Sequence, residues 1–143
     1  MGKINAGRVI LGGIVAGIVI DILSYLVDGV LLAPRWAAGM NALGRANFSS
    51  NAILGFNLLG LATGIALIWL YAAIRPRFGA GVKTAVFAGI AVWIIGALIP
   101  NAGFMCVSGL FPHHLTAGTT LGALIEYVVG GIAGAAVYKE SVS

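Results

Sequence analysis

The chain has 143 residues, 60% hydrophobic and 8% charged, with 22 glycines and a formal net charge of +4, and its mean hydropathy is +1.05. Soluble domains carry about 25% charged residues, so this composition excludes a soluble domain and defines an integral membrane protein, and the basic residues flank apolar runs instead of forming a nucleic-acid footprint. The single cysteine, Cys106, excludes an internal disulfide and an all-cysteine metal cluster.

Four apolar stretches, near 9–33, 51–74, 82–107 and 115–138, each reach the roughly 20 residues a membrane helix needs. They predict an all-α, four-transmembrane-helix bundle, up-down-up-down, occupying 1–143 as a single membrane domain. The opening MGKINAGR looks like the charged lead of a secretory signal. The apolar run behind it is too long for a signal core and contains Asp21, so a retained helix is expected. Neither end carries a lipidation pattern. After Pro34, Trp36, Met40 and Leu43 recur at helical spacing while Arg35, Asn41 and Arg45 take other faces. That pattern predicts a short amphipathic helix over 35–44 on the outer surface, the alternative being an ordered loop.

Ser49, Ser50 and Asn51 can cap the second span, and Pro76 is expected to end it, because proline supplies no amide hydrogen. Pro100 and Asn101 interrupt the third span. Either the helix kinks there or it stops near Ile99, leaving 101–111 irregular; the kink is the preferred reading. Pro112 suits the first turn of the fourth span. Lys3, Arg8, Arg75, Arg77, Lys83 and Lys139 fall on one side of the membrane and only Arg35 and Arg45 on the other, so both termini are expected in the cytoplasm. Trp69, Tyr71 and Tyr138 then stand at the inner boundary, with Trp36, Phe48 and Phe111 at the outer one, as interfacial anchors.

The most informative residue is Glu126, midway along the fourth apolar stretch. A charge near mid-depth costs about 2.5–3.5 kcal/mol on insertion scales and marks a functional site by default. Gly118, Gly122, Gly130 and Gly134 flank it at four-residue steps, and Gly13, Gly17, Asp21, Tyr25 and Gly29 repeat the pattern in the first span. Small residues four apart let helix backbones approach closely in lipid, and the two slanted ridges predict that the first and fourth helices pack together. Asp21 and Glu126 would then meet near mid-depth, neutral or sharing one proton. Asp28 would lie on Asp21's face, seven residues and about 10 Å further out, with Asn57, Thr63, Thr116, Thr119 and Thr120 extending a polar chain. Three readings follow: a proton or cation path through Asp28, Asp21 and Glu126; protonated acids bonding two helices; or an acid meeting an arginine on a partner subunit.

His113 and His114 at the outer mouth of the fourth span are weak metal or haem candidates, with Cys106 as a third ligand. Adjacent histidines on a helix diverge by about 100°, so no metal and no cofactor is expected. Ser24, Ser108 and Cys106 lack an evident base, and the glycines lie inside apolar spans instead of forming a phosphate loop. No catalytic residue is predicted.

The segment from Tyr71 to Ala85, YAAIRPRFGAGVKTA, with Ala91–Ile95, AVWII, resembles the cytoplasmic-loop signature of a group of small, uncharacterised bacterial four-helix membrane proteins. Asp28–Gly29, Trp36 and Leu43-Gly44-Arg45 are similar as well. The resemblance implies the architecture and a bacterial cytoplasmic membrane, and no catalytic residues. Arg75, Arg77 and Lys83 in that segment can hold anionic headgroups, worth about 1 kcal/mol each, or dock a partner. The expected protein is a small non-enzymatic accessory or structural subunit packing against other membrane chains or itself. The competing reading is a small oligomeric transporter or channel for protons, cations or a small solute.

Overall fold

The computed structural model describes residues 3–46, 48–107 and 109–140. Its elements are α1 (Ala6–Ser24), a π-helical segment (Tyr25–Leu31), α2 (Ala33–Ala42), α3 (Ser50–Phe78), α4 (Val82–Trp93), a second π-helical segment (Ile94–Leu98), α5 (Ile99–Val107) and α6 (His113–Val137). Together they make four helical stretches long and apolar enough to cross a membrane: Ala6–Leu31, Ser50–Phe78, Val82–Cys106 and His113–Val137. The protein is an all-helical, four-span bundle.

Helix ends follow local chemistry. The Asn5 side chain accepts the Arg8 amide hydrogen at 3.2 Å, and the Ser49 hydroxyl accepts that of Ala52 at 3.3 Å, each satisfying a donor that the first turn leaves open. Pro76 does not end α3. The helix runs through it to Phe78 and stops at Gly79, whose φ of 84° suits glycine. A proline so near the end removes little of the hydrogen-bond ladder, and the residue that reverses the chain decides the terminus. The third span does not end at Ile99 but continues through Pro100 to Val107. It widens just before Pro100, where the Ile99 amide bonds back five residues to the Ile94 carbonyl. That wide turn precedes the proline that cannot donate. The helix after the first span covers Ala33–Ala42, starting two residues earlier than expected.

Close approach of backbones sets the packing. A methyl group on Gly13 would fall 2.5 Å from the Ile65 Cα, and one on Gly17 would fall 2.6 Å from the Leu61 Cα. The Gly13/Gly17 ridge therefore faces α3, not α6, correcting the sequence reading. The neighbouring stripe of α1 meets α6 instead: Gly12 lies against the Gly134 carbonyl, and Gly130 against Ala16 and Ile20. Further out, Gly122 abuts Val27 and Gly118 abuts Leu32. The first span is thus gripped on two adjacent faces, antiparallel to both neighbours. On the far side of α6, Gly89 of α4 closes onto Val128, and the Trp93 indole donates to the Thr120 carbonyl at 2.7 Å.

The half of the bundle nearer the termini is sealed by Val9, Ala16, Ile20, Leu67, Ile68, Tyr71, Ala72, Ala85 and Ala88. Tyr71 and Tyr138 belong to this core and are not lipid-facing anchors. Their rings meet edge-on at 5.9 Å, while the Tyr71 hydroxyl accepts the Gly81 amide at 3.1 Å and the Tyr138 hydroxyl accepts the Asn5 amide at 3.4 Å. Trp69 does face outward. A tyrosine near a span's end can point either way, and here the hydroxyls find backbone donors inside the protein.

Candidate functional site

At the opposite end the bundle opens. The first half of α3 separates from the first span, leaving Ile53, Phe56, Leu58 and Leu59 exposed. The gap is a cavity of about 600 Å³ reaching from mid-depth to the end of the bundle that carries the α2–α3 loop. Asp21, Asp28 and Glu126 all line it, three of the chain's four acidic residues. Glu140, the fourth, is 3.5 Å from Arg75 at the other end. Among the described residues that line the cavity there is no Lys, Arg or His.

Glu126 occupies the position on the α6 ridge where glycine would otherwise continue. Its flanking glycines are held against Ile20 on one side and Val27 on the other, so the register places Glu126 opposite the 20–27 stretch of the first span, where Asp21 and Ser24 sit. It is only 5% exposed, yet its Oε1 has no hydrogen-bond partner. A buried acceptor left unsatisfied costs about 1–3 kcal/mol, more if charged, so this oxygen would gain from a donor or a cation.

Asp21 and Glu126 share the cavity without a hydrogen bond between them. Asp21 instead rests against α3 at Gly60, where any side chain would overlap its carboxylate. Asp28 sits on the first π segment. There the Trp36 indole donates to its Oδ1 at 3.0 Å. The π turn re-aims residues after Ser24, which a plain seven-residue step along an α-helix would not do.

Aromatic rings form the end of the cavity nearer the α2–α3 loop. Trp36 meets Phe48 at 5.4 Å and Phe111 at 5.3 Å, and Phe48 meets Phe56 at 5.6 Å, all edge-on. Tyr25, Trp36, Phe48, Phe56 and Tyr127 border the cavity. These walls are absent from the sequence reading. Two signals pointed to them: Tyr127 adjoins Glu126, and Trp36 lies two helical turns beyond Asp28.

Of the polar residues expected to extend the acids, Asn57 and Thr63 line the cavity. The threonines of α6 do not. Thr119 and Thr120 donate to the Thr116 carbonyl at 3.0 and 2.6 Å, and Asn101 donates to the Thr120 hydroxyl at 2.8 Å. The Asn101 bond ties α5 to α6 on another seam. Arg75 is turned inward, paired with Glu140 and 5.6 Å from the Tyr138 ring centroid, whereas Arg77 and Lys83 stay exposed. Of the three basic residues assigned to headgroups or a partner, two remain free to serve that role. His113, His114 and Cys106 are exposed, and no group of three His, Cys, Asp or Glu is placed to hold a metal ion among the described residues.

In comparisons with known proteins, no protein family, curated sequence or solved structure matches the chain. Fold and cavity define it as a small multi-pass membrane protein with an acid-lined, aromatic-walled site inside the membrane.

Proposed function

We propose that the protein handles cations within the membrane, as a small, non-enzymatic transporter that moves protons, or cations in exchange for protons, through Asp28, Asp21 and Glu126. One observation carries this reading: three carboxyl groups from the first and fourth spans converge on a single cavity, and the most buried of them presents an unpartnered oxygen. Acids kept inside a membrane mark ion and proton pathways by default, and no Lys, Arg or His lines the cavity beside these among the described residues. The core of large and small apolar residues below the cavity suits alternating access, since a path must open there only when the upper part closes.

The glycine ridges favour transport over the accessory-subunit reading. Gly12, Gly13, Gly17, Gly64, Gly130 and Gly134 are all used between helices of this chain, so these glycines are not free to receive a foreign helix. Exposed Ile10, Ile14, Ile18, Ile22, Ile125 and Val129 are what lipid requires. The distribution of basic residues supports termini in the cytoplasm, and the resemblance to small bacterial membrane proteins supports the bacterial inner membrane. The cavity then faces the outer leaflet.

Proteoliposomes containing a pH-sensitive dye provide the test. With a sodium or potassium gradient imposed, the wild-type protein is expected to change the internal pH faster than protein-free vesicles do. Glu126→Gln, nearly identical in shape, is expected to bring the rate down by about tenfold or more, as loss of a group essential to proton transfer does. Equal rates for wild type, variant and empty vesicles would exclude sodium- or potassium-coupled proton transport.

A further inference from the structure

The cavity's size and walls narrow the class of cation. A volume of about 600 Å³ falls in the range of sites for drug-sized ligands, roughly 300–1,000 Å³. A metal ion needs several oxygens converging at about 2–2.6 Å, and no group of three His, Cys, Asp or Glu is placed to hold one among the described residues. The carboxyl groups instead look into a wide space bounded by Tyr25, Trp36, Phe56 and Tyr127. Aromatic faces attract cations, and recognise quaternary ammonium groups in particular, by their quadrupole. One wall also faces lipid, because Phe56 and Leu59 of α3 and Tyr25 of the first span are more than half exposed.

We propose that the cavity binds an amphipathic organic cation, a monovalent ammonium or phosphonium bearing apolar substituents, which enters sideways from the outer leaflet. Its charge sits at Glu126, with Asp21 and Asp28 alongside, and its apolar groups lie against Phe56 and Trp36. The assignment rests on the cation-handling reading. Independent support comes from Glu126 itself, which lines the cavity, is 5% exposed and has its buried Oε1 unpartnered. An inorganic cation would leave most of the apolar wall without a role, whereas a neutral apolar solute would leave the carboxyl groups without one.

The test is equilibrium binding of radiolabelled tetraphenylphosphonium to the purified full-length protein in lipid nanodiscs. Saturable binding is expected, about tenfold or more weaker in Glu126→Gln, a change that corresponds to about 1.4 kcal/mol. Phe56→Ala is expected to weaken it severalfold; Phe56 is exposed, so this variant keeps the bundle even if the first one does not fold. Acidification is expected to release the ligand, because protons compete for Asp21, Asp28 and Glu126; Tyr25 and Tyr127 are the other titratable groups lining the cavity. The anion tetraphenylborate, of the same shape, is expected not to compete. Absence of saturable binding, equal affinity in both variants, or competition by tetraphenylborate would overturn the assignment. Glu126-dependent proton or sodium flux without phosphonium binding would remove the organic cation and keep the transport reading. Phosphonium binding without any flux would uphold the ligand class and remove transport.

Discussion

Replacing Gly64 with leucine is expected to abolish the folded bundle. Gly64 lies on the face of α3 that meets the first span, where even a single added carbon would overlap the Gly13 carbonyl and the Gly17 backbone. Backbone atoms cannot rotate aside as a side chain can, so the two helices would have to separate along their whole contact. Ordinary overpacking of a core costs about 1–3 kcal/mol. Here the cost is expected to be higher, because helices in lipid associate through just such close contact and not through expulsion of water. Gly55, on the same helix, has nothing within 4 Å of an added carbon, and Gly55→Leu is expected to behave as wild type. Size-exclusion profiles and thermal denaturation in mild detergent separate the two. If Gly64→Leu elutes and melts like Gly55→Leu, the α1–α3 seam is wrong.

The second large effect is a charge reversal. Lysine at a buried membrane position normally prevents insertion or folding, at a cost of about 2.5–3.5 kcal/mol on insertion scales. Glu126→Lys is expected to fold nonetheless, because its ammonium would enter a cavity of about 600 Å³ already lined by Asp21 and Asp28. It would act as a tethered cation and block the site, so binding and flux are expected to vanish while the protein stays monodisperse. Leu67→Lys is the contrast. Leu67 is fully buried in the apolar core, away from the carboxyl groups, and this variant is expected not to fold. Should both lysines be tolerated equally, or both rejected equally, the acidic cavity would lose its distinguishing property.

The four spans were legible because length and apolarity decide membrane helices almost alone. Glu126 was legible because a lone acid in a long apolar run has no ordinary explanation. What the ridge of glycines did not reveal was its neighbour. Gly12 and Ala16 lie one residue from Gly13 and Gly17, so the first span carries two small-residue stripes about 100° apart, and only the assembled bundle shows which stripe meets α6. The splaying of α3 was equally hidden. Ile53, Phe56 and Leu59 read alike whether they face lipid, protein or a cavity, because membrane helices lack the polar-versus-apolar contrast that marks buried faces in water. The π turns left no period to detect, and the Asp28–Trp36 bond depends on one of them. Arg75 read as a headgroup anchor because its partners, Glu140 and Tyr138, come from the far end of the chain.

The central claim is that Glu126 presents a free carboxyl group to an accessible cavity inside the membrane. Dicyclohexylcarbodiimide, an apolar reagent that modifies carboxyl groups within bilayers, tests it directly when the labelled protein is mapped by mass spectrometry. A single fast adduct at Glu126, slowed by tetraphenylphosphonium and absent in Glu126→Gln, is the predicted result. An unmodified Glu126 in the intact bundle, or labelling that the cation leaves unchanged, would contradict it.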